Sequence, residues 1–166
     1  MKFKIQNSKF KIKESGLNIN VLIKVILDNR GIKTKKEKEE FLNPKLENVT
    51  VKSVGIDSGN LKKAIGRIQL AIKNKEQIVV FGDYDVDGIT GTAILWETLN
   101  SLGAKVTPYI PHRIEEGYGL STIGISNINN KISKIKDVKL IITVDNGIVA
   151  NNPVEFAKKN GIDVII

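Results

Sequence analysis

Apolar and polar positions follow two different rhythms along the chain. In the first part, apolar residues recur at helical spacing between lysine- and glutamate-rich stretches. Val21, Leu22, Val25 and Ile26 predict a short amphipathic helix over 20–29, with Gly31 just past its end. Thr34 and Glu37 have capping-box spacing and predict a second helix, which stops at Phe41-Leu42-Asn43-Pro44. Residues 45–59 read as loop. Leu61, Ala64, Ile65, Ile68 and Ile72 predict a third helix over 61–73. At the N-terminus, alternating pieces at 3–5 and 10–12 around Asn7-Ser8 suggest a hairpin.

From residue 77 the rhythm changes to short apolar runs separated by helical stretches. The runs at 77–81, 105–110, 138–144 and 163–166 predict strands, and 90–102, 121–135 and 153–160 predict the helices between them. On the first of these helices Leu95, Trp96, Leu99 and Leu102 are the expected core residues. Nearly continuous apolar strands with helical crossovers imply a parallel sheet covered on both faces. The expected fold is therefore α/β, a parallel sheet with βαβ crossovers after a small, mostly helical region. The expected boundary separates 1–76 from 77–166. The last run, Val164-Ile165-Ile166, ends the sequence inside a strand, so the second domain is expected to be incomplete.

The strand ends carry the chemistry. Asp83, Asp85 and Asp87 follow the first strand at alternate positions, and Gly88 comes next. Asp145 follows the third strand in Thr143-Val144-Asp145-Asn146-Gly147. Ligands of open α/β sheets bind outside the carboxyl ends of the strands, so both acidic turns fall on one edge. Clustered carboxylates repel one another, and a cation relieves that repulsion. An EF-hand loop fails because its twelfth position is Ile94 rather than Glu, and because a strand precedes it. An aspartyl-phosphate transferase fails on the residue after each aspartate pair, which is Asp87 or Ile89. A polar turn with helix-capping aspartates explains one of the four acids more easily than all of them.

Composition sharpens this picture in two ways. The absence of cysteine excludes thiolate metal sites and disulfides, which leaves oxygen donors and His112, the single histidine. His112 lies beside Pro111, where solvation is the simpler role. The net charge of +8 is also uneven. Residues 1–77 carry 18 Lys and Arg against 8 Asp and Glu, whereas residues 78–166 carry 8 against 10. A basic front beside an acidic cluster suits a polyanion grip next to a cation-dependent centre, although a lysine-rich solubilising surface accounts for the front equally well. No apolar run is long enough to span a bilayer, and residues 1–14 have no continuous apolar stretch of the secretory kind. A cytoplasmic location is expected.

Four segments, VVFGDYDVDGITGTA (79–93), YIPHRIEEGYGLS (109–121), LIITVDNGI (140–148) and NGIDVII (160–166), together resemble the DHH family of phosphoesterases. Within it they are most similar to the single-strand-specific exonucleases. LDNRGI (27–32) and FLNP (41–44) resemble the small region that precedes the catalytic domain there. The resemblance implies that Asp85, Asp87 and Asp145 act as catalytic metal ligands, with Asp83 in or beside the ligand shell. It implies Mn²⁺ or Mg²⁺ in a two-metal site, incomplete here because Asp-His-His would follow the last strand. In related phosphatases a histidine ligand stands where this chain has Phe81, so that ligand is absent or supplied otherwise. Carboxylate-rich sites of this kind hold two ions about 3.5–4 Å apart across a scissile phosphate.

The implied activity is 5′–3′ exonuclease action on single-stranded DNA in repair and recombination. Single-stranded DNA is the implied partner, with DNA-repair proteins beside it. Arg113 could bind a phosphate, while Gly117 and Tyr118 offer close backbone approach and a stacking ring. The alternatives are a phosphodiesterase for oligonucleotides or cyclic dinucleotides, and a DHH-like module that binds nucleic acid without cutting it.

Overall fold

The computed structural model describes residues 18–129 and 135–166. The expected hairpin at 3–12 and residues 130–134 of the helix expected over 121–135 lie outside them. The chain divides into two compact units, Met1–Ile56 and Asp57–Ile166.

In the first unit, α1 (Ile19–Asn29) starts at Asn18, whose side chain accepts from the Asn20 N–H. Helix α2 (Lys35–Leu42) opens on the expected capping box, with Thr34 and Glu37 each bonding the other's backbone N–H. The stretch expected as loop holds a 3₁₀ turn at Leu46–Asn48. One expectation is corrected here: Leu27 is the buried residue of α1, whereas Val21 and Ile26 are largely exposed. Leu27 is held at the helix end, where its carbonyl accepts from the Ile32 N–H as the chain turns at Gly31.

The second unit is the expected α/β fold. Its elements are α3 (Ser58–Lys73), β1 (Gln77–Phe81), α4 (Val86–Ser101), β2 (Lys105–Tyr109), α5 (Thr122–Asn129), β3 (Val138–Thr143), α6 (Asn151–Lys159) and β4 (Asp163–Ile165). The sheet is four-stranded and all parallel, in the order β2-β1-β3-β4. Apart from Lys139, the central strands are buried on both faces, which explains their apolar runs at 78–81 and 140–142. Val79, Phe81 and Ile141 point into one core with Ile125, Ile128 and Ala157 of α5 and α6. Ile78, Val80, Leu140 and Ile142 point into the other, with Ala71 and Leu99 of α3 and α4. Pro108 is tolerated because β2 is an edge strand. Two further side chains depart from the helical pattern. Leu102 is 61% exposed because α4 stops at Ser101 and Leu102 is only its cap, and Ile65 lies on the solvent side of α3.

Arg67 ties α3 to β3, to β4 and to the residue just before β1. Its guanidinium donates to Glu76 at 2.7 Å, to Asp163 at 2.6 Å and to the Lys139 carbonyl at 3.1 Å. Arg67, and next Asn74, hold the Glu76 carboxyl below its usual value. Arg67→Ala should destabilise the unit by about 2 kcal/mol in urea titrations, between an exposed and a buried ion pair. Because Glu76 titrates lower in the folded state, its share is present above the unfolded value of 4.5 and is lost as pH falls through the folded value. The gap between wild type and variant should therefore narrow below about pH 4.5, and a constant gap would assign the effect to packing instead.

Candidate metal centre

The order β2-β1-β3-β4 puts a topological switch point between β1 and β3. The chain leaves β1 for one side of the sheet and β3 for the other, which opens a crevice at their carboxyl ends. Asp83, Asp85 and Asp87 follow β1, and Asp145 follows β3, at this crevice. The two exits remain joined, the Val144 N–H donating to the Phe81 carbonyl at 2.9 Å, and the Gly82 N–H ties the end of β1 to that of β2 by donating to the Tyr109 carbonyl at 2.9 Å.

The aspartates hold different posts. Asp83 is 1% exposed, and its Oδ1 accepts from the Tyr84 N–H at 2.7 Å. The charge of Asp83, and next partial desolvation, raise the Tyr118 phenol above its usual value. Asp85 caps α4, its Oδ1 accepting from the Gly88 N–H at 2.9 Å. This cap starts the helix at Val86 rather than at the expected residue 90, and so places Asp87 in the first turn. There the helix dipole favours its negative charge. Asp85, Asp87 and Asp145 are all solvent-exposed.

Asp145 occupies left-handed backbone at φ 61°, a region that aspartate enters more readily than most residues. Partial desolvation raises its carboxyl despite its exposure to water, and the charges of Asp85, Asp87 and Asp83 raise it further. With Asp145 open to solvent, the like charges bear most directly on ligand binding, since a cation would relieve them. Among the described residues, no three acidic or histidine side chains form a ready-made ion site. Asp85 and Asp145 offer only oxygen donors at the crevice, a donor type that suits Mg²⁺ or Mn²⁺.

Two glycines seat α4 on the crevice. A Cβ on Gly88 would stand 2.6 Å from the Asp83 Cβ and 2.7 Å from its backbone. A Cβ on Gly91 would stand 2.7 Å from the Val144 Cγ1. Beside the acids, the Arg113 guanidinium lies over the Tyr84 ring at 4.7 Å, and Tyr84 meets Tyr118 edge-on at 6.3 Å. Gly117 and Gly119 flank Tyr118 with φ of 84° and 67°. His112 is exposed, as expected.

Sequence reasoning missed three contributors. Tyr84 links Arg113 to Tyr118. The Asn146 amide joins the ends of β1 and β3 to the loop at Leu120, and Glu116 is a buried acid under that loop. The available signal for Asn146 was its place between a strand-end aspartate and a glycine. Glu116 had none beyond its position in a quoted motif.

A parallel α/β sheet with a carboxylate-lined switch point places the chain in the class of α/β proteins that bind ligands at strand ends. Residues 77–166, more than half of the chain, match the DHH family, N-terminal domain, and the chain belongs to the DHH family. It is 37% identical over 169 residues to the single-stranded-DNA-specific exonuclease RecJ of Bacillus subtilis, covering all of this chain and 20% of that protein. It is 36% identical over 138 residues to the RecJ of Thermus thermophilus, covering 83% of this chain and 18% of that one. The chain thus spans about a fifth of the length of these relatives. Among solved structures, exonuclease RecJ bound to manganese superposes with a TM-score of 0.55 at 39% identity, over 63% of this chain and 26% of that one. RecJ from Thermus thermophilus in complex with Mn²⁺ gives 0.51 at 31% identity, over 83% and 17%. No helix among the described residues is long and apolar enough to cross a membrane.

Proposed function

We propose that this chain takes part in metal-dependent phosphodiester hydrolysis on single-stranded DNA, removing nucleotides from the 5′ end. In this reading residues 77–166 supply the N-terminal part of a DHH phosphoesterase domain, and 1–76 form a basic region before it. The observation that carries the reading is the meeting of Asp85 and Asp145 from different strand ends at one switch point. The relatives named as single-stranded-DNA-specific exonucleases, and their manganese-bound structures, support it.

Asp85, Asp87 and Asp145 would hold the divalent ion, while Asp83 orients the turn beneath them through Tyr84 and Tyr118. A bound Mn²⁺ or Mg²⁺ would lower the pKa of an attacking water and stabilise the leaving oxygen. Arg113 offers a fixed positive charge to a backbone phosphate, and its stacking on Tyr84 limits its freedom. Tyr118, 67% exposed, offers a ring to a base. The basic front half would grip the phosphate backbone without reading sequence. A cytoplasmic location and contact with DNA-repair proteins belong to the same reading.

Titrating Mn²⁺ and a single-stranded oligonucleotide into the chain tests this proposal. Both should bind, and oligonucleotide binding should weaken steeply with salt. Because the chain spans about a fifth of its relatives' length, it should cleave weakly or not at all alone. Failure to bind Mn²⁺ at low-millimolar concentration would sink the reading.

A further inference from the structure

The loop between β2 and α5 carries Arg113 and Tyr118 to the crevice on exposed positions. Such a segment would ordinarily be mobile, yet it is pinned at two points by side chains that neither the acidic cluster nor its helix uses. The first is Glu116, only 8% exposed. Its Oε2 accepts from the Tyr109 hydroxyl at 2.7 Å, and its Oε1 accepts from the His112 N–H at 3.2 Å. Its own N–H donates to the His112 carbonyl at 2.8 Å. Burial and Glu116 together push the Tyr109 phenol far above its usual value, as expected of a phenol that keeps its proton to donate. The second point is Asn146. Its Oδ1 accepts from the Leu120 N–H at 3.1 Å, while its Nδ2 donates to the Phe81 carbonyl at 3.2 Å and the Val144 carbonyl at 2.9 Å. One amide thus joins the loop to the ends of both strands that carry the aspartates.

The two pins bracket Gly117-Tyr118-Gly119. Both glycines sit at positive φ and resist deformation little by themselves. Tyr118, between them, meets the Tyr84 ring edge-on at 6.3 Å, and Tyr84 directly follows Asp83. We propose that Glu116 and Asn146 are positioning residues: they hold the Arg113–Tyr118 loop in one place over the aspartates, so that a single-stranded nucleic-acid end meets an ordered surface. This inference rests on the proposed function for its ligand, but the clamp itself can be tested without one. Asn146 also adjoins Asp145, so it links the loop position to the strand end that offers a ligand.

Amide hydrogen exchange in the chain, at residues 117–120 and in β1 and β3, provides the test. Asn146→Ala and Glu116→Ala should each speed exchange at 117–120 about tenfold or more, with the strand amides unchanged. Glu116→Gln should stay near wild type, since its amide can still accept from the His112 N–H and pair with the Tyr109 hydroxyl. With Mn²⁺ present, both alanine variants should bind a single-stranded oligonucleotide about tenfold more weakly and Mn²⁺ about as well as wild type.

Unchanged exchange at 117–120 would overturn the clamp. So would equal acceleration in the strands, which would make these residues fold supports. A freed loop with unaltered oligonucleotide affinity would overturn the positioning role. If the wild-type chain binds no oligonucleotide, the proposed function falls instead, and the exchange pattern alone decides the clamp.

Discussion

Asp85→Asn is expected to lower Mn²⁺ affinity about 100-fold or more while leaving the fold intact. The prediction separates two roles that one side chain performs. Asp85 caps α4 through its Oδ1 and also faces Asp145. Asparagine is nearly as good a cap as aspartate, so the helix start should survive. What is lost is a negative charge at the centre of the acidic crevice. Asp85→Ala removes the cap as well, so about 1 kcal/mol of extra destabilisation should distinguish it from the asparagine variant. Asp145→Asn should act likewise on the metal, because asparagine accepts the left-handed backbone found there. In a longer protein containing this chain, either asparagine variant should reduce Mn²⁺-dependent nucleotide release about a thousandfold, the equivalent of several kcal/mol of metal assistance. Isothermal titration with Mn²⁺ and thermal unfolding, run side by side, check the claim. An asparagine variant that binds Mn²⁺ as well as wild type would refute the ligand assignment.

The strands were legible because the central ones are buried on both faces. Such strands are apolar through their middles, so 78–81 and 140–142 stand out without any alternation. The meeting of the two acidic turns was legible too, since it follows from parallel topology. Helix starts were less so. The periodicity of α4 marks only its packed face, and its first turn is held by Asp85 and by contact with Asp83 rather than by apolar residues. Leu27 and Leu102 were misjudged for a related reason. Spacing predicts a face, but helix ends turn away from it, inward for Leu27 and outward for Leu102. Glu116 and Asn146 were least legible. Their partners lie 7 residues away at Tyr109, 26 at Leu120 and 65 at Phe81, and no local pattern encodes such pairings.

Gly88→Ala is expected to destabilise the second unit by about 3 kcal/mol, near the upper end for overpacking. Alanine is normally the better helix former, by about 1 kcal/mol, so local propensity predicts the opposite sign. Sterics decide the outcome. The new methyl would meet the Cβ, Cα and N of Asp83 at 2.6–2.7 Å, and that neighbour is mostly backbone on a fully buried residue. It cannot rotate away, so the first turn of α4 must lift and carry Asp85 and Asp87 with it. Mn²⁺ affinity should therefore fall together with stability. Gly91→Ala is milder, at about 1 kcal/mol, because its 2.7 Å contact is one side-chain methyl of Val144. Gly66→Ala, inside α3 with nothing within 4 Å of the added carbon, should instead stabilise by about 0.5–1 kcal/mol. Urea midpoints for the three variants, each with a Mn²⁺ titration, give an ordering that propensity alone cannot produce. If Gly88→Ala proved as benign as Gly66→Ala, α4 would not be seated on Asp83, and the fixed placement of Asp85 and Asp87 at the end of β1 would lose its physical basis.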